Sequence, residues 1–232
     1  NKFFCSKRKN PSRYPHTWKG FMMQDCLLKG KTILFLGSSV TYGSAADGIS
    51  FVEHIAARTG CYVIKEAISG TTLADLDDQS YVSRLKRISG AVCPDLFVCQ
   101  LSTNDASHCV PLGKTGEPEP DMKTVTGAVT AIVQYVREKW RCPVVFYTNQ
   151  RYESYAYANM VEALHTLASS MDFSVIDLWN DTAFNRITAE QRVRFMADEI
   201  HPTDTGYREW WTPAIEKELV RFLLCCERKA FL

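Results

Sequence analysis

Four short segments of this 232-residue chain carry side chains suited to acyl transfer. Gly37-Ser38-Ser39-Val40-Thr41 closes an apolar run at residues 32–36. Ala67-Ile68-Ser69-Gly70 follows a second such run, and Ser102-Thr103-Asn104-Asp105 closes a third. Asp198-Glu199-Ile200-His201-Pro202 precedes the last amphipathic stretch. A serine hydroxyl is a weak nucleophile and needs a base beside it. The tetrahedral intermediate carries an oxyanion, which preorganised N–H donors must meet. Glycine lets backbone approach closely, and an asparagine amide adds a donor. The pattern therefore points to a serine of the first segment as nucleophile and His201 as base. Asp198, three residues earlier, is the acid that would orient the imidazole.

These groups work together only if the chain brings them to one crevice. The pattern of residues 32–36, 62–64, 95–101, 144–147 and 173–178 reads as five buried strands. Between them, residues 49–58, 73–89, 124–140 and 154–170 have helical spacing. Gly60 stands as a C-terminal cap, and Leu73, Leu76, Leu85 and Ile88 form the stripe of the second helix. Thr188 and Gln191 form a capping box for a short helix, and residues 204–224 form the closing one. Strands alternating with helices imply a parallel sheet covered on both faces. The expected fold is α/β, a three-layer α/β/α sandwich with about five strands in the flavodoxin-like order 2-1-3-4-5. In that order the first strand lies between the second and third, so the serine sits between the glycine and asparagine segments. Residues 1–30 read as an N-terminal arm, packed or mobile, in which Phe3, Phe4, Tyr14, Trp18 and Phe21 could pin it down. Residues 31–232 read as a single domain.

Composition narrows the partners. Lys plus Arg total 27 and Asp plus Glu total 26, for a formal charge of +1, so no sign excess favours nucleic acid. The basic cluster at 7–9 reads as a solvated part of the arm. No apolar run approaches the ~20 residues of a membrane span. The nine cysteines include no Cys-x-x-Cys pair, and no zinc-ligand spacing occurs. Reduced thiols and the lack of a signal-peptide core suggest a cytoplasmic protein. The chain opens on Asn1 rather than Met, which leaves the sequence upstream open.

The four segments together resemble the SGNH hydrolases, also called GDSL-like lipases and esterases. The Gly-Asp-Ser block of that family is similar to Gly37-Ser38-Ser39, which carries the nucleophile role to Ser39, and the second block's glycine falls on Gly70. The third block's asparagine falls on Asn104, and the Asp-x-x-His block falls on Asp198 and His201. The resemblance implies a serine esterase or acylhydrolase acting through an acyl-enzyme. Its oxyanion hole would be made by the Ser39 and Gly70 N–H groups and the Asn104 side chain, and it would need no metal or organic cofactor. Two positions depart from the pattern: Ser38 replaces the usual aspartate, and Lys65 stands where many members have an asparagine.

Each residue also has an ordinary structural role when read singly. Ser39 would cap a helix, Gly70 would serve a turn, Asn104 an Asx-turn, and Asp198 an ion pair. His54 and His165 read as structural residues of helices, and His16 belongs to the arm. His108, in the polar loop 102–122, is a candidate for substrate contact, as are Tyr152 and Tyr155 in the segment 149–157. Both segments follow strands and lie where open α/β sheets bind ligands. Their polarity and aromatic rings favour a small-molecule ester of a polar or carbohydrate-like alcohol, with acetyl as one acyl group. A lysophospholipase- or thioesterase-type acylhydrolase, or a non-catalytic binding module on the same fold, are the other readings. A nucleophile elbow of the Gly-x-Ser-x-Gly kind is disfavoured because the fifth position is Thr41, and residues 37–44 lack the lysine of a phosphate loop.

Overall fold

Five short runs rich in Val, Ile, Leu and Phe form the sheet: β1 (Thr32–Gly37), β2 (Tyr62–Ala67), β3 (Leu96–Gln100), β4 (Val144–Tyr147) and β5 (Ser174–Ile176). All pair in parallel, in the order β2-β1-β3-β4-β5 expected from the sequence. The computed structural model describes residues 27–117 and 119–230. Most of the arm, with its five aromatic residues, its basic cluster and His16, lies outside the described residues.

Alternation along the strands divides the interior in two. Leu34, Leu36, Phe97, Cys99 and Phe146 face one layer. They are covered by α3 (Tyr81–Arg87), α5 (Val125–Lys139) and α6 (Tyr155–Met171). Ile33, Phe35, Leu96, Val98, Val145 and Tyr147 face the other. They meet α2 (Phe51–Thr59), a π-helical turn (Tyr207–Trp211) and α9 (Thr212–Ala230). The result is the three-layer sandwich. Four smaller helices lie in the connections: α1 (Ser39–Tyr42), α4 (Thr103–Ser107), α7 (Ala189–Phe195) and α8 (Asp204–Gly206). The expected capping box of α7 is present, with Thr188 and Gln191 satisfying each other's backbone N–H groups. Gly60 caps α2.

The structure corrects several boundaries. Helix α2 begins at Phe51, capped by Ser50 in a capping box with Glu53, and Ile49 is left 44% exposed outside it. Residues 73–80 are not helical. The Asp105 carboxylate takes the Leu73 and Ala74 N–H groups at 2.7 and 2.9 Å, and the Asp77 carboxylate takes the Gln79 N–H. Such side-chain acceptors compete with the helical ladder, so α3 starts only after Ser80, and Leu76 is 48% exposed instead of buried. The loop 102–122 opens with α4, because Ser102 Oγ accepts the Asn104 N–H as a cap. The closing helix is interrupted by the π turn, which lets Tyr207, Trp210 and Trp211 all turn inward.

Candidate active site

The turn carrying Ser39 is fixed from below. At Gly37 a side chain is excluded, since a Cβ would lie 1.7 Å from Thr41 Oγ1. Ser38 N–H and Thr41 Oγ1 both donate to Gln100 Oε1, at 2.9 and 2.8 Å. Thr41 has one hydroxyl hydrogen and spends it on Gln100, so at the 2.6 Å contact Tyr147 Oη is the donor to Thr41. Tyr207 Oη donates to Val40 O at 2.8 Å. Ser38, Thr41, Gln100 and Tyr147 are fully buried. Ser38, at the position where the resemblance leads one to expect an aspartate, is part of this network. Ser39 opens α1 and is 6% exposed. Its N–H is in the first turn, where backbone donors have no intrahelical acceptor.

His201 reaches Ser39 from the segment between α7 and α8. That segment is pinched by an antiparallel bridge between Met196 and Pro202 and by Ala197 N–H donating to His201 O at 2.9 Å. Asp198 Oδ1 accepts the N–H groups of Ile200 and His201, both at 2.8 Å, which makes the turn. His201 Nδ1 lies 2.7 Å from Asp198 Oδ2, and His201 Nε2 lies 2.8 Å from Ser39 Oγ. The carboxylate requires the proton on Nδ1, which leaves the Nε2 lone pair to accept from the serine hydroxyl. Partial burial raises the Asp198 carboxyl's pKa, but the His201 ring and the two backbone N–H groups outweigh that. Its pKa ends below the ordinary value.

Gln150 and Asn149, buried at the end of β4, hold this turn to the sheet. Gln150 Nε2 donates to Glu199 O at 2.8 Å and to Ile200 O at 3.3 Å. Asn149 Nδ2 is 3.4 Å from Ile200 O.

On the other side, Gly70 sits in the exposed turn after β2 at φ +81°, a conformation that glycine adopts without strain. Asn104, second residue of α4, donates one amide hydrogen to Thr71 O at 2.9 Å, leaving the second hydrogen for another acceptor. Its neighbour Asp105 is fully buried. Burial pushes its carboxyl up, while the Ala74 and Leu73 N–H groups pull it back. Arg84, 2% exposed, lies beneath this side.

The candidate substrate contacts are spread out. His108 caps α4 and is exposed, and Tyr155, first residue of α6, is 88% exposed. Tyr152 packs into the fold, its ring centroid 5.4 Å from those of Tyr157 and Trp179. His54 and His165 pair with Asp204 and Asp177. Lys65 Nζ donates to the Tyr42 and Gly48 carbonyls and pairs with Glu53. Among the described residues, no group of three or more His, Cys, Asp or Glu could hold a metal ion. No described helix is long and apolar enough to cross a membrane.

Gln100, Arg84, Asp105 and Gln150 escaped the sequence reading. Two left a signal. Gln100 is the one polar residue in the apolar run 96–101, and Arg84 shares a helical face with Tyr81 and Ile88.

A parallel sheet with its reactive groups at the carboxyl ends of β1 and β3, where the strand order reverses, defines a flavodoxin-like α/β enzyme architecture. Residues 35–209 match the profile of the GDSL-like lipase/acylhydrolase family, and the chain belongs to that family of SGNH-type hydrolases. A Lactobacillus plantarum protein of known structure is 21% identical with a TM-score of 0.69, over 84% of this chain and 97% of that one. A Bacteroides ovatus protein named as a GDSL-like lipase is 16% identical with a TM-score of 0.63, over 83% and 99%. LAE5, an alpha/beta hydrolase enzyme from the metagenome of Lake Arreo, is 17% identical with a TM-score of 0.56, over 81% and 94%. At these identities the likeness is one of fold. No curated protein matches the sequence significantly.

Proposed function

We propose that the protein is a carboxylic ester hydrolase in which Ser39, His201 and Asp198 act as a triad, carried on one domain spanning residues 31–232. The observation that carries this reading is the continuous chain of contacts from Asp198 Oδ2 to His201 Nδ1 at 2.7 Å and from His201 Nε2 to Ser39 Oγ at 2.8 Å. His201 Nε2 takes the Ser39 proton as Oγ attacks the acyl carbon. The oxyanion is met by the Ser39 and Gly70 N–H groups and by the Asn104 amide. Collapse passes the proton from His201 to the departing alkoxide and leaves an acyl-Ser39. Water then attacks the acyl-enzyme, again through His201, releasing the carboxylic acid and restoring the serine. No cofactor takes part in these steps.

The proposed substrate is a small acyl ester, acetyl included, of a polar or carbohydrate-like alcohol. The exposed polar residues of the segment 107–117 and the exposed ring of Tyr155 support this reading. One observation favours a longer acyl chain, as in lysophospholipase- or thioesterase-type hydrolases. Tyr42, Ile49 and Ile68, on the segments that follow β1 and β2, are 43%, 44% and 38% exposed. Labelling by a fluorophosphonate at Ser39 tests the mechanism and separates an enzyme from a binding module. Hydrolysis rates across acetylated sugars, p-nitrophenyl esters of rising chain length and acyl thioesters then decide the substrate. Best turnover of acetyl sugars is expected, and a maximum at long chains would overturn that choice.

A further inference from the structure

Arg84 is nearly inaccessible, yet the proposed chemistry assigns its charge no part. Its guanidinium makes four contacts, to the ends of β1 and β2, to the loop after β2 and to the segment before α3. Nη2 donates to Gly37 O at 2.7 Å, at the end of β1 immediately before Ser38 and Ser39. The same nitrogen donates to Thr71 Oγ1 at 3.1 Å, next to Gly70. Nη1 pairs with Glu66 Oε1 at 3.0 Å near the end of β2, and Nε donates to Gln79 O at 2.8 Å. The plane lies over the Tyr81 ring, 5.3 Å from its centroid. Thr71 carries the connection to β3, because its carbonyl accepts from Asn104 Nδ2 at 2.9 Å and from Ser102 Oγ at 3.3 Å. Its hydroxyl also donates to Ile68 O at 2.7 Å, closing the turn that contains Gly70.

The geometry points to Arg84 as the positioning residue of the oxyanion hole, through which the segments bearing Ser39, Gly70 and Asn104 are held at fixed separation. This inference rests on the proposed hydrolase mechanism. The three donors come from three different strand ends, and beyond the strands their loops share few other bonds: Ile68 N–H to Gly37 O at 3.3 Å, and the Leu73 and Ala74 N–H groups to the Asp105 carboxylate. A rigid fork with several donors spans such a gap, which a single ammonium does not do. Misplacement by about 1 Å at a reacting centre costs about a hundredfold in rate, so a loosened hole registers in turnover. The oxyanion exists in the tetrahedral intermediate and the transition states flanking it but not in the bound ester, so the loss belongs in kcat and not in KM.

The test is Arg84→Lys, with Thr71→Val as a milder variant that keeps the buried charge and removes the two links of the Thr71 hydroxyl, to Arg84 and to Ile68 O. Each is assayed on p-nitrophenyl acetate for kcat, KM and pH profile, and on phenylboronic acid, whose serine adduct is a tetrahedral anion, for its inhibition constant. The expected result for Arg84→Lys is a kcat lower by roughly tenfold to a hundredfold. Boronate affinity should weaken by a similar factor, with KM and the pH midpoint unmoved. Thr71→Val should shift kcat and boronate affinity together in the same direction by a smaller factor, and it decides the matter should Arg84→Lys fail to fold. Unchanged kcat in Thr71→Val, a loss confined to KM, or a displaced pH midpoint would overturn the inference. Fluorophosphonate labelling of the wild type separates the two readings. An unlabelled Ser39 sinks the hydrolase mechanism and this inference together, whereas a labelled Ser39 with intact kcat in both variants sinks this inference alone.

Discussion

Gln150 Nε2 donates to the Glu199 carbonyl at 2.8 Å, fastening the buried end of β4 to an exposed turn two residues short of His201. The turn has few other anchors to the sheet. Gln150→Leu keeps the size and apolar fit of the stem and removes the donor. Turnover is expected to fall by roughly tenfold to a hundredfold through displacement of the imidazole. Stability should fall by about 1–2 kcal/mol for the lost bonds. Steady-state kinetics beside a thermal melt check this, and a wild-type kcat would show that the turn holds itself.

Ser39→Ala removes one hydroxyl from a side chain that is otherwise well packed. Ester turnover should drop by about 10³-fold or more, with the melting curve little changed. If label from a fluorophosphonate appears on Ser38 instead, the assignment of the nucleophile is wrong. The buried position of Ser38 under Gln100 argues against that outcome.

How far the sequence led depends on whether a feature is local. The strand order and the reactive segments were legible because each strand ends in its own punctuation, such as Gly37 and Ser102, and apolar periodicity marks the rest. The start of α3 was not legible because the side-chain acceptors that unwind residues 73–80 include Asp105, 32 residues from Leu73 and 31 from Ala74 in sequence. The supports of the site were illegible for the same reason. Gln100 reaches Ser38 62 residues away, Arg84 reaches Gly37 47 away, and Gln150 reaches Glu199 49 away. Nothing in their immediate neighbours names those partners. Tyr152 was legible as an aromatic residue at the rim, but its ring is claimed by Tyr157 and Trp179.

Ser38→Asp restores the residue usual in the family and is expected to be harmful here. The new carboxylate would face Gln100 Oε1, an acceptor already committed to the Ser38 N–H and Thr41 hydroxyl, in a fully buried site. Two opposed acceptors without a donor should cost about 1–3 kcal/mol of stability. A melting temperature at or above that of the wild type would mean that the Gln100 side chain turns its amide nitrogen to the newcomer.

Asn104→Ala tests the proposed side-chain donor of the oxyanion hole. The amide hydrogen not given to Thr71 is the one available to the substrate. Removing it should lower kcat by about 10²–10³-fold with little change in KM. A loss confined to KM would make Asn104 a substrate-positioning residue instead.

The last prediction concerns protonation. In the proposed mechanism His201 must be neutral at Nε2 to accept the Ser39 proton, so kcat/KM should fall when acidification protonates that nitrogen. Asp198 keeps its charge to a lower pH than an ordinary carboxyl. Hydrogen bonds from the His201 ring and two backbone N–H groups overcome its partial burial and hold its carboxyl below the ordinary 3.8. A group whose pKa is lowered on folding stabilises the fold above its unfolded value, and that contribution disappears as the pH falls through the lowered one. The Asp198 contribution to stability is therefore intact at neutral pH and lost only in strong acid. The activity and stability profiles should separate, with activity lost first. Asp198→Asn leaves the turn a carbonyl oxygen to accept the Ile200 and His201 N–H groups, so the melting temperature should change little. The amide cannot impose the Nδ1–H tautomer as a carboxylate does, and its NH₂ group favours the proton on Nε2, facing Ser39. Turnover should then fall by about 10³–10⁴-fold. A flat rate profile from acid to alkaline pH, or an Asp198→Asn variant with near-normal turnover, would exclude His201 as the base.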